Sequence, residues 1–301
     1  MQMRRSLLTA IFAAIFIFTS VERVWSDDHH QPSPSFSVER VLPGLFFLQG
    51  KGGNLLASKG QDGLLLIDND YTEMSEALKK ALAGLGGEEN VKYVINTHWH
   101  SDHTGNNVML GKRAHIVAHD NVRARLASPQ EFKFFGKTTE AMEDVGLPKL
   151  TYSKRMKIYF NGHEIELLHF PDSHTDGDTA VFFRDANLVH TGDLFFNGTF
   201  PFVDLEHGGN VLKLTESVAA LSAQLDERSI IIPGHGALAD NEDLSAFYQM
   251  LVETTAEVRE LKRSGLTKEQ AQEKGISKKW KSWGNGFINT PTWIGLVYGS
   301  L

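Results

Sequence analysis

The sequence contains no cysteine. Disulfide bonds, thiolate nucleophiles and cysteine metal ligands are therefore excluded, and a large apolar core, with or without bound metals, has to hold the fold. Basic residues are also in the minority, because 30 Lys and Arg stand against 37 Asp and Glu and leave a net charge of −7. A chain of this charge repels a phosphate backbone, so we expect no nucleic-acid partner.

The sequence also lacks an apolar run long enough to cross a bilayer. The N-terminal run over residues 7–18 is shorter than the about 20 apolar residues that a membrane-spanning helix needs. Because Arg4 and Arg5 precede this run and Ser26 offers a small residue for cleavage, residues 1–26 are predicted to be a secretory signal peptide. An uncleaved membrane anchor is the alternative. The mature protein is expected to be periplasmic or secreted, without stable membrane insertion.

The remaining chain divides into a short polar segment and one long patterned region. Residues 27–35 are polar, contain proline and lack periodicity, which predicts a disordered linker. From residue 36 onward, short apolar runs that end at Gly, Asp or Asn alternate with segments of helical spacing. Strands are predicted over 45–49, 54–58, 64–68, 91–96, 114–118, 156–160, 164–170, 180–183, 187–190 and 229–232, and helices over 71–85, 121–127, 211–225, 244–263 and 268–274.

This alternation predicts an α+β fold in which two sheets pack together and carry helices on their outer faces. No composition change marks a linker inside the patterned region. Residues 36–301 are therefore predicted to form one domain, of which about 240–301 is a helical extension.

Four residues with metal-binding side chains lie between His98 and His103, directly after a predicted strand. Side chains two positions apart in an extended loop point the same way, so His98 and His100 can reach one ion together. If the chain then turns into a helix, Asp102 and His103 can diverge towards a second ion. Imidazole and carboxylate groups suit Zn²⁺, whereas a site of oxygen ligands alone would indicate Ca²⁺ or Mg²⁺.

Two ions need more than four ligands, and three further candidates follow later strands. They are His174 in the sequence PDSHTDGD, Asp193 in VHTGD and His235 in IPGHG. Each lies in a turn that contains glycine, just past a short apolar strand, where loops at one edge of a sheet meet. We therefore predict that all seven side chains converge on one site.

The pattern H-x-H-x-D-H, followed by a lone His, a lone Asp and Gly-His-Gly, resembles the metallo-beta-lactamase superfamily. The resemblance implies a four-layer αβ/βα sandwich that binds two Zn²⁺ ions. It assigns the ligands as His98, His100 and His174 on one ion, Asp102, His103 and His235 on the other, and Asp193 as a bridge. Asp68 matches the buried acid that orients the ligand loop in this family.

The chemistry implied by the resemblance is hydrolysis by a metal-activated water, with Asp102 as the catalytic residue that orients the nucleophile and moves its proton. The substrate is then a small carbonyl compound: a lactone, an ester, a thioester or a beta-lactam. Asp193 is similar to the bridging Asp of glyoxalase-II-like thioesterases and lactonases, so beta-lactam hydrolysis is not preferred. The alternative is an iron-dependent oxidoreductase, since sulfur dioxygenases and flavodiiron proteins share the fold and much of the ligand set.

Some residues near these motifs admit two interpretations. The loop over 197–210 either lines the substrate cleft with Phe200 and Phe202 or buries both side chains in the core. His169 and His190 precede predicted ligands and are candidates for supporting them. Histidines in strands are otherwise most often structural. The oligomeric state is left open.

Overall fold

Two β-sheets that face each other form the centre of the protein. The computed structural model describes residues 34–301, so the predicted signal peptide, 1–26, and most of the predicted linker, 27–35, lie outside the described residues. The strands are β1 (Ser37–Leu42), β2 (Leu45–Gln49), β3 (Leu55–Gly60), β4 (Gly63–Ile67), β5 (Val91–Ile95), β6 (His115–His119), β7 (Gln130–Phe132), β8 (Lys137–Thr139), β9 (Leu150–Tyr152), β10 (Arg155–Phe160), β11 (His163–His169), β12 (Thr179–Phe183), β13 (Leu188–His190) and β14 (Ile230–Ile232). The α-helices are α1 (Ser75–Leu85), α2 (Ser101–Thr104), α3 (Asn107–Leu110), α4 (Asp120–Leu126), α5 (Val211–Ser222), α6 (Asn241–Arg263), α7 (Lys268–Lys274) and α8 (Thr290–Ser300).

The topology brings several strand ends to one edge. The first sheet has the order β1-β2-β3-β4-β5-β6-β9 and is parallel from β4 to β9. The second sheet has the order β10-β11-β12-β13-β14, with β13 and β14 parallel. Because β11 and β13 both run antiparallel to β12, they end at the same edge as β14. The turns after these strands can therefore meet at one site.

The apolar core confirms the four-layer arrangement. Leu56 and Leu65 of the first sheet pack with Leu167 and Val181 of the second in one buried cluster between the sheets. The outer face of the first sheet packs on α1, whose buried residues include Leu78. The outer face of the second sheet is covered by α5, α6 and α8. The order helix, sheet, sheet, helix is the αβ/βα sandwich that was expected.

The chain is helical from Asn241 onward apart from short connections. Asp240 caps α6 by accepting hydrogen bonds from the first turn, and Thr267 caps α7 in the capping box that its sequence predicts with Gln270. The last part adds a 3₁₀ segment over Lys278–Asn285 before α8. Within the described part of the chain, no helix combines the length and the apolar content needed to span a membrane.

Five pieces of structure were not predicted: β1, α3, the β7–β8 hairpin, β9 and α8. The helix α8 has apolar residues on all sides, so its sequence lacks the polar stripe that marks an amphipathic helix. Its start does carry a signal, because the side chain of Asn289 accepts a hydrogen bond from Thr292 N at 2.9 Å and Pro291 stands in the first turn. The strands β7, β8 and β9 hold three residues each, which is too few for a recognisable alternation.

Trp293 of α8 joins the C-terminal helices to the loop that leads to the strand ends. Its indole is fully buried and stacks on Phe200, with ring centroids 5.3 Å apart. Its Nε1 donates a hydrogen bond to Thr254 Oγ1 at 3.0 Å. A buried aromatic with a satisfied polar atom contributes both apolar burial and a fixed position.

We expect Trp293→Ala to lower the free energy of unfolding by about 3–5 kcal/mol, because it leaves a cavity and removes the hydrogen bond that Thr254 Oγ1 accepts. Urea denaturation followed by circular dichroism measures this change. Tyr159→Ala is the control, since that ring is 71% exposed; its cost should stay within about 0.5 kcal/mol. Equal costs for the two variants would contradict the role assigned to α8.

Candidate metal centre

The ligand loop follows the end of β5. The loop bends over residues 97–99, and His100, the N-cap residue of α2, has an extended backbone with φ −63° and ψ 150°. His98 and His100 belong to the same group of potential ligands, with ring centroids 4.8 Å apart. Asp102 and His103 lie in the first turn of α2, where a helical rotation separates neighbouring side chains. This is the division into two directions that the spacing predicted.

One group of potential ligands contains three histidines and one aspartate. His98, His100, His174 and Asp193 each present one nitrogen or oxygen, and these atoms lie within 4.8 Å of one another. His100 Nδ1 and His174 Nε2 are 2.9 Å apart, and His174 Nε2 is 3.3 Å from Asp193 Oδ2. All four residues are buried.

A second group lies beside the first. Asp102, His103 and His235 satisfy the same distance criterion. Asp102 Oδ2 is 3.2 Å from His235 Nε2 and 3.5 Å from His103 Nε2. Asp193 also reaches this group, because its Oδ1 is 3.1 Å from His103 Nε2 and its Oδ2 is 3.5 Å from His235 Nε2. Asp193 therefore lies between the two groups, and the structure brings together all seven side chains that the sequence singled out.

The histidines are oriented by hydrogen bonds on the ring nitrogens that face away from this centre. His174 Nδ1 is 2.7 Å from the carbonyl oxygen of Phe202, which only accepts, so this nitrogen carries the proton. His100 Nε2 is 3.0 Å from Asp204 Oδ2, and His103 Nδ1 is 2.7 Å from Asp68 Oδ2. When such a ring is neutral, its proton lies on the outward nitrogen and the lone pair on the inward one, which is the tautomer a metal ligand requires.

Two inward nitrogens have no hydrogen-bond partner at all. His98 Nε2 and His103 Nε2 are buried and unsatisfied within the described residues. A buried polar atom without a partner costs about 1–3 kcal/mol, so such atoms call for an explanation. A cation held by both nitrogens and by the neighbouring carboxylates would satisfy them. The donor set therefore fits metal ions.

Asp68 supports the ligand loop from below. Its carboxylate accepts hydrogen bonds from Thr97 N at 2.8 Å and from Thr97 Oγ1 at 2.7 Å, in addition to the bond with His103. The residue is fully buried and has φ 59°, a left-handed conformation that Asp tolerates better than most residues. These hydrogen bonds fix Thr97 and the ring of His103, so Asp68 orients the ligand loop.

Other supporting residues escaped the sequence analysis. Asp204 Oδ2 holds His100 and also contacts His207 Nδ1 at 2.8 Å. Asp178 Oδ2 accepts from the backbone nitrogen of His174 at 2.6 Å and so fixes the turn that carries this ligand. Asp178 stands within the motif PDSHTDGD and could have been noticed there. Asp204 has no comparable signal, because its contact joins segments that are 104 positions apart.

A network of buried amides holds α2 and α3 beside the first sheet. Asn107 Nδ2 donates to Asn96 Oδ1 at 2.8 Å, and Asn69 Nδ2 donates to Asn107 Oδ1 at 2.7 Å. The backbone nitrogen of Asn106 donates to Asn69 Oδ1 at 2.7 Å. Because these side chains satisfy one another, they can be buried without a large penalty, and they fix the helix that carries Asp102 and His103.

The electrostatics of the centre favour cations. Burial raises the pKa of Asp193, but the neighbouring histidines, His103 first, outweigh it and hold that pKa well below its usual range. Burial also lowers the pKa of His103, yet the charges of Asp193, Asp102 and Asp68 raise it well above normal. The carboxylates thus hold protons on nearby histidines, and a bound cation would displace them.

In the first group of potential ligands, the pKa values of two histidines are lowered rather than raised. Burial and neighbouring histidine charges lower the pKa of His98 well below its ordinary value. Burial lowers the pKa of His174 to about 4. Both rings are therefore neutral near pH 7, with lone pairs available to a metal.

His190 and His169 belong to neither group of potential ligands, and instead contact the turns and strands that carry these groups. His190 Nδ1 accepts from Gly192 N at 3.2 Å and its Nε2 donates to the Asn54 carbonyl at 3.0 Å, so the ring holds the turn that ends at Asp193. His169 stacks on His119 with ring centroids 3.6 Å apart. Its Nδ1 donates to the backbone carbonyl of Asp178 at 2.9 Å.

A cleft of about 620 Å³ lies above the ligands. Its floor includes Asp102, and its walls come from the β7–β8 hairpin, the loop after β13 and residues 286–288. Phe200 and Phe202 line this cleft and are also buried, so both interpretations of their loop hold. Trp99 instead packs beneath, stacked on Phe132 with centroids 5.1 Å apart.

The glycines near the cleft form a fixed turn. A Cβ on Gly53 would collide with the imidazole ring of His103, so this position requires glycine. The backbone nitrogen of Gly52 donates to Asp70 Oδ1 at 2.9 Å, and that of Gly53 donates to the Asp102 carbonyl at 3.1 Å. The turn is bound to the ligand helix on both sides.

Comparison with known proteins agrees with this geometry. The family model for the metallo-beta-lactamase superfamily matches residues 55–235. The alpha subunit of a 2,4-dinitroanisole O-demethylase from Nocardioides sp. is 25% identical over 241 residues, which are 77% of this chain and 67% of that protein. A coenzyme F420H₂ oxidase from Methanothermobacter marburgensis is 32% identical over 159 residues, or 48% of this chain, and the match spans only 37% of that longer protein.

Among solved structures, the DIM-1 metallo-beta-lactamase shares the fold, with a TM-score of 0.59 and 18% identity over 73% of this chain and 98% of that one. The matched residues 55–235 include Asp68 and all seven residues of the two groups. The chain belongs to the metallo-beta-lactamase superfamily and carries a cluster of His and Asp side chains suited to metal ions.

Proposed function

We propose that this protein is an exported dinuclear zinc hydrolase that cleaves a small carbonyl substrate: a lactone, an ester, a thioester or a beta-lactam. The observation that carries the proposal is the convergence of seven inward-facing ligand atoms in two groups, with Asp193 between them. Hydrogen bonds on the outward ring nitrogens fix the tautomers that metal binding requires.

Zinc is the metal that this donor set favours. Both groups offer imidazole nitrogens and carboxylate oxygens without thiolates, and with four ligands each they leave water or substrate the fifth position that catalytic zinc can adopt. Calcium and magnesium prefer sites with oxygen ligands alone. The residues that would hold the ions are His98, His100, His174 and Asp193 on one side, and Asp102, His103, His235 and Asp193 on the other.

When bound, two zinc ions would lower the pKa of a water between them and polarise the substrate carbonyl. The residues of the chain supply the rest. The carboxylate of Asp102 is kept ionised, because His103 and His235 outweigh the effect of burial and lower its pKa well below the usual range. It can accept a proton from the attacking water and pass it to the leaving group. The aromatic walls of the cleft exclude bulk water from this proton transfer.

An iron-dependent oxidoreductase is the second candidate. The relative from Methanothermobacter marburgensis is named an oxidase, and its match covers nearly half of this chain. Iron also accepts imidazole and carboxylate ligands. The metal content of the protein separates the two proposals.

We expect the protein purified without chelator to hold close to two zinc ions and no stoichiometric iron, as measured by mass spectrometry of the metals. Asp193→Ala should hold fewer than two, because it removes a ligand from both groups. His163→Ala is the control and should keep both, since that histidine pairs with Asp185 away from the cleft. Two equivalents of iron would replace the hydrolase proposal with the oxidoreductase one.

The affinity for zinc tests the role of Asp204, the residue that orients His100. Asp204→Asn removes the charge that fixes this ring, so zinc affinity at the three-histidine group should fall about 10- to 100-fold in competition with a chromogenic chelator. Asp185→Asn makes the same substitution in the partly exposed pair with His163 and should leave the affinity unchanged.

Hydrolysis should depend on Asp102. Across a panel of lactones, thioesters, aryl esters, beta-lactams and phosphodiesters, we expect turnover of carbonyl substrates by the zinc-loaded protein. Asp102→Ala should lower kcat by a factor of about 100 or more, since it removes both a ligand and the proton acceptor. If this variant hydrolysed every substrate as well as the parent, the activity would belong to another site or to a contaminant.

The export proposal has its own test. Expression of the full chain in a bacterium with two membranes should give a periplasmic protein whose first residue is Asp27, as read by N-terminal sequencing. Recovery of a chain that begins at Met1 in the membrane fraction would favour the anchor, and recovery from the cytoplasm would contradict export.

A further inference from the structure

The walls of the cleft are much less polar than its floor. The metal-binding groups are polar and charged, whereas the walls are built largely from phenylalanines of three separate segments. Phe132 and Phe135 come from the β7–β8 hairpin, Phe196 and Phe202 from the loop after β13, and Phe287 from the C-terminal part. A substrate bound at the floor has to place the rest of its body against aromatic rings.

These rings continue to the mouth of the cleft. Phe135 contacts Phe202 and Phe287, with centroid distances of 5.2 Å and 5.9 Å. Phe287 is 77% exposed and Phe135 is 37% exposed. Large apolar side chains that cluster in this way around a functional opening are typical of a surface that is covered when a ligand binds.

Two lysines line the cleft, and their surroundings differ. Lys51 is neutralised by Glu73, with Nζ and Oε1 2.7 Å apart. Lys137 forms no ion pair with any residue of the range 34–301. Its ammonium lies 5.6 Å from the centroid of Phe132 and 5.4 Å from that of Phe135, within the range of cation–π attraction.

The aromatic contacts hold the charge of Lys137 at the cleft without neutralising it, because a ring quadrupole carries no net charge. The cation is therefore available to an anion in the cleft. Because Lys137 is exposed at the mouth, solvent screens this attraction, and its size is that of a surface ion pair. No carboxylate of the described chain competes for it within ion-pair distance.

Building on the proposed function, we propose that the substrate is an anionic carbonyl compound with an apolar body. The scissile carbonyl lies at the metal-binding floor, the apolar body lies along Phe135, Phe202 and Phe287, and a carboxylate at the far end of the molecule pairs with Lys137. Lys137 is thus a specificity residue that contributes to substrate binding and takes no part in bond breaking.

Two matched esters test this inference: 4-nitrophenyl hexanoate and the mono-4-nitrophenyl ester of adipic acid. They differ only in a terminal methyl group against a carboxylate. The zinc-loaded protein should hydrolyse the adipate ester with a kcat/KM about three- to fivefold higher, through a lower KM. Lys137→Met keeps the apolar stem and removes the charge, so it should abolish this preference while changing hexanoate hydrolysis less than about twofold.

Lys133→Met is the matched control. Lys133 lies on the same hairpin and is exposed, but it does not line the cleft, and its backbone bond to Glu206 survives the substitution. This variant should keep the preference. High salt should reduce the preference in the parent and have no effect on the ratio in Lys137→Met. A parent without preference, or a loss that is equal in both variants, would overturn the inference.

A measurement of binding distinguishes a failure of this inference from a failure of the proposed function. The mono-4-nitroanilides of hexanoic and adipic acid, titrated calorimetrically, report affinity without requiring turnover. If the adipate anilide binds more tightly and Lys137→Met removes the difference while no ester is hydrolysed, the hydrolase proposal fails and the ligand class stands. If the esters are hydrolysed with Asp102 dependence but without any charge preference, the ligand class fails and the hydrolase proposal stands.

Discussion

The hydrogen bonds on the outward-facing ring nitrogens of the histidines are the interaction on which the site depends. An imidazole binds a metal only through an unprotonated nitrogen, and the partner of the other nitrogen decides which one that is. Asp68 makes this choice for His103, Asp204 makes it for His100 and the carbonyl of Phe202 makes it for His174. Without these acceptors, the same rings could rotate or protonate inward, because the carboxylates at the centre attract protons.

The packing of the two sheets holds these hydrogen-bond acceptors in place. Asp68 follows β4 of the first sheet, while Phe202 and Asp204 follow β13 of the second. The apolar interior between the sheets fixes the distance between the two strand ends. The C-terminal helices extend the same control to the loop, since Trp293 stacks on Phe200 only a few residues before the carbonyl that holds His174. Packing far from the candidate metal centre thereby sets the orientation of its side chains.

Different parts of the chain form the floor and the mouth of the cleft. Loops after the central strands, which the core restrains most firmly, carry the groups that need exact positions. The hairpin that holds Phe135 and Lys137, and the segment that ends at Phe287, form the exposed mouth. Contacts at a mouth need complementary charge and apolar area rather than exact geometry. In the proposed hydrolase, substrate preference can therefore change in these segments while the chemistry at the floor stays the same.

The sequence alone singled out the seven side chains of the candidate metal centre, because metal ligands need particular side chains, and their close spacing after apolar strands is improbable without a site. It also determined the main strands and the amphipathic helices, whose alternation follows from burial on one face. Only the tertiary structure decided which acceptor faces each histidine, since Asp204 meets His100 across 104 positions. It alone revealed α8, whose sequence is apolar on all sides, and the aromatic cleft with Lys137. Contacts between distant segments leave no local pattern, because their partners become neighbours only when the core has formed.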